Sequence, residues 1–270
     1  MIIDSHCHLA SNQFKGDLEE VLERAKLHKI SKLISIGTDL EDSKKCVNIS
    51  NKYHNVFATV GVHPCSVTDI SDTDWLQKIS ELSNSLNVVA IGEIGLDFFH
   101  SAPNGWGEKS YRNKQKEFFI KQLELASALN LNVVIHQRDK GEQCWKEIKE
   151  IIAPFKGKLR AVFHCFTHSW EAAKPLIDEG HLISFTGVVT FKNATLIQEC
   201  VTQCPLDSFM VETDSPYLAP IPFRGKRCEP MHVRSTTEFI ANLRDSSIEE
   251  ISEHTSKNAD SFFKFERIKL

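Results

Sequence analysis

Eight short runs of β-branched and aliphatic residues punctuate this chain: "MIIDSH", "KLISIGT", "VFATVGVH", "VVAIGEIGLD", "NVVIHQRD", "RAVFHCF", "HLISFTGV" and "FMVETDSP". Each is followed by a helical segment or by a turn into one. Strands that are apolar along both faces must be covered on both sides, which points to a parallel sheet wrapped by helices. Eight such units in roughly 250 residues match the count and size of a (β/α)8 barrel. The expected fold class is therefore α/β, a TIM-barrel-like (β/α)8 fold. An open doubly wound sheet is the competing architecture, but no GxGxxG follows the first strand, so its usual nucleotide-binding mark is missing.

The intervening segments carry apolar residues at helical spacing. "GDLEEVLERAKLHKI" places Leu18, Val21, Leu22 and Ala25 on one face, with Asp17 positioned to cap its start. "DTDWLQKISELSNSL" repeats the pattern with Trp75, Leu76, Ile79 and Leu82, and "NKQKEFFIKQLELASALN" with Phe119, Leu123 and Ala126. No low-complexity stretch, Gly/Ser linker or close repeat marks a boundary, so residues 1–270 read as one domain. The eight cysteines are scattered without a CxxC pair, as expected of reduced, buried thiols. No apolar run approaches the roughly 18 residues needed to span a bilayer, and the amino terminus enters a strand without a basic leader. The chain reads as cytoplasmic, with no membrane and no obligate protein partner. Its net charge of -4 argues against a generic electrostatic nucleic-acid binder, though not against a nucleic acid held through metal ions.

In such barrels chemistry is carried at the carboxyl ends of the strands. His6 and His8 end the first strand, His63 the third, His136 the fifth, His164 the sixth and Asp214 the eighth, while Glu93 lies late in the fourth. One histidine at a strand end is more often a hydrogen-bonded loop residue than a ligand; the argument rests on the coincidence across independent strands. In "DSHCHL" the strand period of two puts Asp4, His6 and His8 on one face and Cys7 on the other. A buried hydrogen-bond ladder is the plainer alternative. Counted with the other strand ends, the pattern favours two imidazoles aimed at one ion, Asp4 behind them accepting their other N–H, and Cys7 in the packing between barrel and helices. Glu93, enclosed by apolar neighbours, calls for a cation. Asp214 has the same character, whereas Glu212 lies deeper on the same face and suits a structural role. Four histidines and two carboxylates suit Zn, Mn or Mg and supply donors for two divalent metal ions, with Glu93 between them. Hydrolysis is the economical reading.

"DSHCHL", "GVHP", "GEIGLD", "VIHQRD", "FHCF", "ETDSPYLAP" and "RGKRCEP" together resemble the TatD family of metal-dependent hydrolases, over essentially the whole chain. The resemblance implies the metallo-dependent hydrolase version of the barrel and a deoxyribonuclease activity, often a 3′ to 5′ exonuclease releasing 5′-phosphates. It implies one metal held by His6, His8 and Asp214, a second by His136 and His164, and Glu93 between them. Asp214 would orient or deprotonate the attacking water, and His63 would face the scissile phosphate.

Arg224, Lys226 and Arg227 form a basic loop placed to contact phosphates flanking the cut, unless they are a solvated surface run. Trp106 is placed to stack on unpaired bases; Phe98 and Phe99 suit core packing. Cys65, Gln137, Lys140 and Cys228 depart from the common family pattern, as does the long segment after Glu93, and these departures bear on substrate choice. The expected substrate is DNA, at single-stranded ends. The alternative is an amidohydrolase or esterase acting on a small molecule or aminoacyl ester with the same metal site.

Overall fold

The computed structural model describes residues 1–265. Its elements run β1 (Ile2–Cys7), α1 (Leu18–Leu27), β2 (Ile30–Ser35), α2 (Leu40–Lys52), β3 (Val56–Val60), α3 (Trp75–Leu82), β4 (Val88–Asp97) and α4 (Glu108–Leu129). They continue with β5 (Asn132–Arg138), α5 (Gln143–Ile152), β6 (Ala161–Phe163), α6 (Trp170–Asp178), β7 (Leu182–Phe185), α7 (Thr195–Gln203), β8 (Phe209–Val211), α8 (Val233–Leu243) and α9 (Ile248–Phe263). The strands form one eight-stranded sheet in sequential order, with every paired neighbour parallel. This is the nearly closed TIM barrel expected from the eight apolar runs.

Residues two apart on a strand share a face, and here the inward face changes character along its length. Val134 precedes His136, Val162 precedes His164, and Met210 precedes Glu212. The apolar lower part packs as one cluster with Ile34, Ile36 and Leu182, and Phe262, Phe263 and Phe265 stopper it from below. A second, larger cluster fills the layer between strands and helices and takes in Cys7, Leu22, Ala25, Ile79 and Leu123. Each fully buried aliphatic side chain there contributes about 1.5–3 kcal/mol, and that layer supports the cost of the polar mouth above. Among the described residues no helix is long and apolar enough to cross a membrane.

Asp17 stands at the N-cap of α1 but makes no capping bond. Its carboxylate instead accepts hydrogen bonds from Arg227 at 2.9 and 2.6 Å and from Arg24 at 3.4 Å, because charged donors outcompete a backbone N–H. Glu229 joins the same network, taking Arg24 at 2.7 Å and Arg227 at 2.9 Å. The contact ties α1 to the loop after β8.

Between β8 and β1 the ring closes without a regular ladder. A single bridge pairs Cys7 with Ser215, His8 N donates to Ser215 O at 2.7 Å, and Asp214 N donates to His6 O at 2.9 Å. Asp4 completes the seam: its carboxylate accepts Thr213 N at 2.9 Å and Thr213 Oγ1 at 2.6 Å. This corrects the expectation that Asp4 serves the imidazole rings. Its only contact with His6 is the backbone N–H, at 3.4 Å. The Thr213 backbone would otherwise be buried without a partner at the seam, and Asp4 satisfies it. Burial pushes the Asp4 carboxyl up to about 8, against the Thr213 hydrogen bonds that lower it. Asp4→Ala strands both Thr213 donors and is expected to cost about 2–4 kcal/mol, measured by urea denaturation; an unshifted midpoint would show that water replaces the carboxylate.

Candidate active site

Glu93 is the hub of the barrel mouth. It sits near the end of β4, which is buried along its whole length, and the Glu93 side chain is 4% exposed. Gly95, two residues on, has φ of 143°. A Cβ there would run into the His136 carbonyl, so a glycine is what lets β4 and β5 approach closely enough for Glu93 to meet His136. His136 Nδ1 lies 2.8 Å and His164 Nε2 2.7 Å from Glu93 Oε1. The other oxygen, Oε2, faces His6 Nε2 at 3.6 Å. Across the seam, Asp214 Oδ1 lies 3.5 Å from His6 Nε2 and 3.2 Å from His8 Nε2. Asp214 adopts a left-handed backbone, φ 56°, fixed by its N–H on His6 O and by Tyr217 N–H on its own carbonyl.

The donors divide into two groups that meet at Glu93. His6 Nε2 and His8 Nε2 are 3.4 Å apart, as are His136 Nδ1 and His164 Nε2. Two nitrogens bound to one ion at 2.0–2.1 Å in tetrahedral geometry lie about 3.4 Å apart, so both pairs have the spacing of ligands to a common ion. Buried His6 Nδ1 has no hydrogen-bond partner, which leaves Nε2 as the ring's contact with the site. The donor set fits divalent ions of the Zn, Mn or Mg kind.

The electrostatics are those of several imidazoles packed around one carboxylate. Burial alone would raise Glu93, but His164, His63 and His136 outweigh it and hold the carboxyl well below the usual range. Burial and the neighbouring His164 keep His6 well below the ordinary imidazole value. Burial also opposes charge on His164 and His136, yet Glu93 and their other carboxylate neighbours reverse the balance and raise both.

His63 also enters this cluster, with Nε2 3.6 Å from Glu93 Oε1. Burial lowers it to about 3, so the ring is neutral. Its Nδ1 accepts the Cys65 N–H at 3.0 Å, which assigns the ring proton to Nε2. His63 therefore presents an N–H donor to the mouth rather than a ligand lone pair.

Thus His6, His8, His63, Glu93, His136, His164 and Asp214 converge, while Arg224 and Lys226 do not. Both are exposed; Arg224 lies 4.3 Å over the Phe191 ring, and neither walls the open cavity of about 1010 Å³ above Glu93. Arg138 does wall it. Phe98 is core at 7% exposure, but Phe99 is 37% exposed, a correction to its expected burial. Phe99 lies beneath Arg138 at 4.2 Å and Lys140 at 5.0 Å, and Trp106 beneath Lys114 at 5.1 Å.

One residue beside the hub escaped the sequence reading. Asp97 is fully buried at its side chain and accepts His136 Nε2 at 3.0 Å, on the opposite side of the ring from Glu93. The even spacing from Glu93 along β4 was the available signal. Glu212 plays the structural part expected of it, accepting Cys165 N at 2.7 Å and Ser184 Oγ at 2.6 Å, with its Oε1 3.4 Å from His164 Nδ1. Carboxylates that hold a ligand imidazole typically matter 10–100-fold to metal affinity. Asp97→Asn is expected to weaken metal binding by about that range, read by titration of the metal-free protein; unchanged affinity would separate Asp97 from the site.

A family model described as TatD related DNase matches residues 3–264. The chain belongs to the TatD family. The metal-dependent hydrolase YabD of Bacillus subtilis is 40% identical, over 98% of this chain and 99% of its own length. The metal-dependent hydrolase YcfH of Escherichia coli is 33% identical, over 100% of this chain and 98% of its own. The solved structure of YJJV, a TatD homologue from Escherichia coli, matches with a TM-score of 0.85 at 27% identity, covering 97% of this chain and 98% of that one. This TatD chain is accordingly a metal-dependent hydrolase, and its histidine and carboxylate groups at the barrel mouth are able to hold metal.

Proposed function

We propose that this hydrolase is a deoxyribonuclease that uses two divalent ions to cleave phosphodiester bonds from the 3′ end of single-stranded DNA. The observation that carries the reading is the division of donors about Glu93 into two sets at common-ion spacing, under an open cavity. His6, His8 and Asp214 would hold one ion and His136 and His164 the other, with Glu93 between them. When bound, the ions activate water and neutralise phosphate charge.

The chain's own groups do the rest. Asp214 turns Oδ1 toward His6 and His8, and its Oδ2 accepts the proton of the attacking water. The His63 Nε2–H donates to a non-bridging phosphate oxygen, where negative charge grows in the transition state. Arg138 and Lys140 around Phe99 suit a strand with alternating phosphates and bases.

The test supplies the purified protein with Mg, Mn or Zn and compares end-labelled single-stranded and duplex oligonucleotides with a panel of amides and esters. Stepwise loss of 5′-mononucleotides from the 3′ end is the expected result. Turnover of an amide or ester with intact oligonucleotides would overturn the proposal in favour of a small-molecule hydrolase.

A further inference from the structure

Cys65, Asp97 and His100 form a separate constellation on the cavity wall. Cys65 lies in the turn after β3, Asp97 ends β4, and His100 follows three residues later. Cys65 Sγ is 3.8 Å from His100 Nδ1, which is 2.9 Å from Asp97 Oδ2, and the three donor atoms all lie within 4.8 Å of one another.

Such a trio has two chemical readings, a nucleophile relay and a cation site. A Cys–His–Asp relay needs the thiol and the carboxylate on opposite ring nitrogens, so that one receives a proton while the other steadies the ring. Here both face the same nitrogen, Nδ1. Convergence of sulfur, nitrogen and oxygen on one point is the arrangement of ligands to an ion.

The spacing agrees. Bonds of about 2.3 Å to sulfur and 2.0–2.1 Å to nitrogen and oxygen, at tetrahedral angles, separate S and N by about 3.6 Å and N and O by about 3.3 Å. The sulfur–nitrogen and nitrogen–oxygen distances reach this with a shift of a few tenths of an ångström, and the sulfur and oxygen lie within 4.8 Å of each other. His100 can supply that shift, its side chain being 51% exposed. Asp97 is the fixed post: Oδ1 accepts the N–H groups of Phe99 and His100 at 2.9 Å each, and Oδ2 accepts His136 Nε2 at 3.0 Å. An ion on Oδ2 takes the place of the His100 contact and leaves the His136 contact standing.

We propose that Cys65 Sγ, Asp97 Oδ2 and His100 Nδ1 hold a third cation, of the thiophilic borderline class to which Zn2+ belongs. A mixed sulfur, nitrogen and oxygen set selects against Mg2+ and Ca2+. Three protein ligands leave a fourth position for water or substrate, and all three residues border the cavity. The site shares no ligand with the Glu93 cluster but abuts it through the Asp97–His136 hydrogen bond, and its thiolate ligand gives it a signal that the nuclease reading does not predict.

The test titrates the full-length, metal-free protein with Co2+ alone. A thiolate-to-cobalt charge-transfer band in the near ultraviolet is expected in the wild type, since no cysteine belongs to the Glu93 cluster. Cys65→Ser should abolish the band while the remaining bound Co2+ keeps its visible spectrum, which also shows that the variant is folded. His100→Ala, at an exposed position, should weaken the thiolate-bearing equivalent by at least about tenfold. A wild type with no thiolate band at saturating Co2+, or a band that survives Cys65→Ser, overturns the proposal.

Discussion

Glu93→Gln is expected to lower kcat/KM on the hydrolysed substrate by more than about 10³-fold and to strip bound metal at the same time. The glutamine fills the same volume, so packing along β4 is preserved and the change isolates the charge. That charge serves several groups at once: His6, His63, His136 and His164 all place a ring nitrogen within 3.6 Å of a Glu93 oxygen. An amide offers only one oxygen, and its NH2 meets either the His6 side or the side shared by His136 and His164. Metal-ion catalysis supplies several kcal/mol of transition-state stabilisation, and each 1.4 kcal/mol is about tenfold in rate. Metal analysis of the purified variant and steady-state kinetics on the substrate identified by the oligonucleotide, amide and ester panel are the measurements. A variant that keeps both its metal and its rate would remove Glu93 from the chemistry.

In the proposed mechanism, Asp214→Asn separates binding from proton transfer. Its amide oxygen can occupy the place of Oδ1, facing His6 and His8, but its nitrogen cannot accept a proton from water. The expected result is a kcat lowered by about 10²–10⁴-fold, the range for loss of a general base, with KM little changed and most of the metal retained. A kcat within tenfold of the wild type would move the base elsewhere. Together the two variants distinguish a carboxylate that holds the site from one that works in the reaction.

Much of this was legible in the sequence for a simple reason. The strands are buried on both faces, so they appear as unbroken apolar runs, and a charged residue within one stands out. Glu93, His136 and His164 were visible in that way, and period two placed His6 and His8 together. The partners of Asp4, Asp17 and Arg227 were not visible. Asp4 meets Thr213 and Asp17 meets Arg227, each more than 200 positions away, and local spacing carries no record of contacts made when a ring closes. Asp97 was overlooked because Glu93 alone accounted for the charge in "GEIGLD". Arg224 and Lys226 show the opposite limit: composition marked them as basic, but whether a loop faces a cavity or solvent is a property of its path.

A metal held as proposed across the closure between β8 and β1 would have a mechanical role. The ring is held there by one bridge and a few side-chain bonds rather than by a ladder. His8 and Asp214, 206 positions apart in the chain, stand on its two sides. An ion gripped by both is a buckle joining the first strand to the last. Ligands that bind only the folded state add to its stability, by about 2.7 kcal/mol at a concentration one hundred times Kd. Tm is therefore expected to rise with metal concentration, and hydrogen exchange on adding chelator should accelerate first at Thr213, Asp214 and His8. The loosest join of the barrel and its proposed reactive centre are the same place, so removing an ion held there would disarm the enzyme and unfasten its fold in one step.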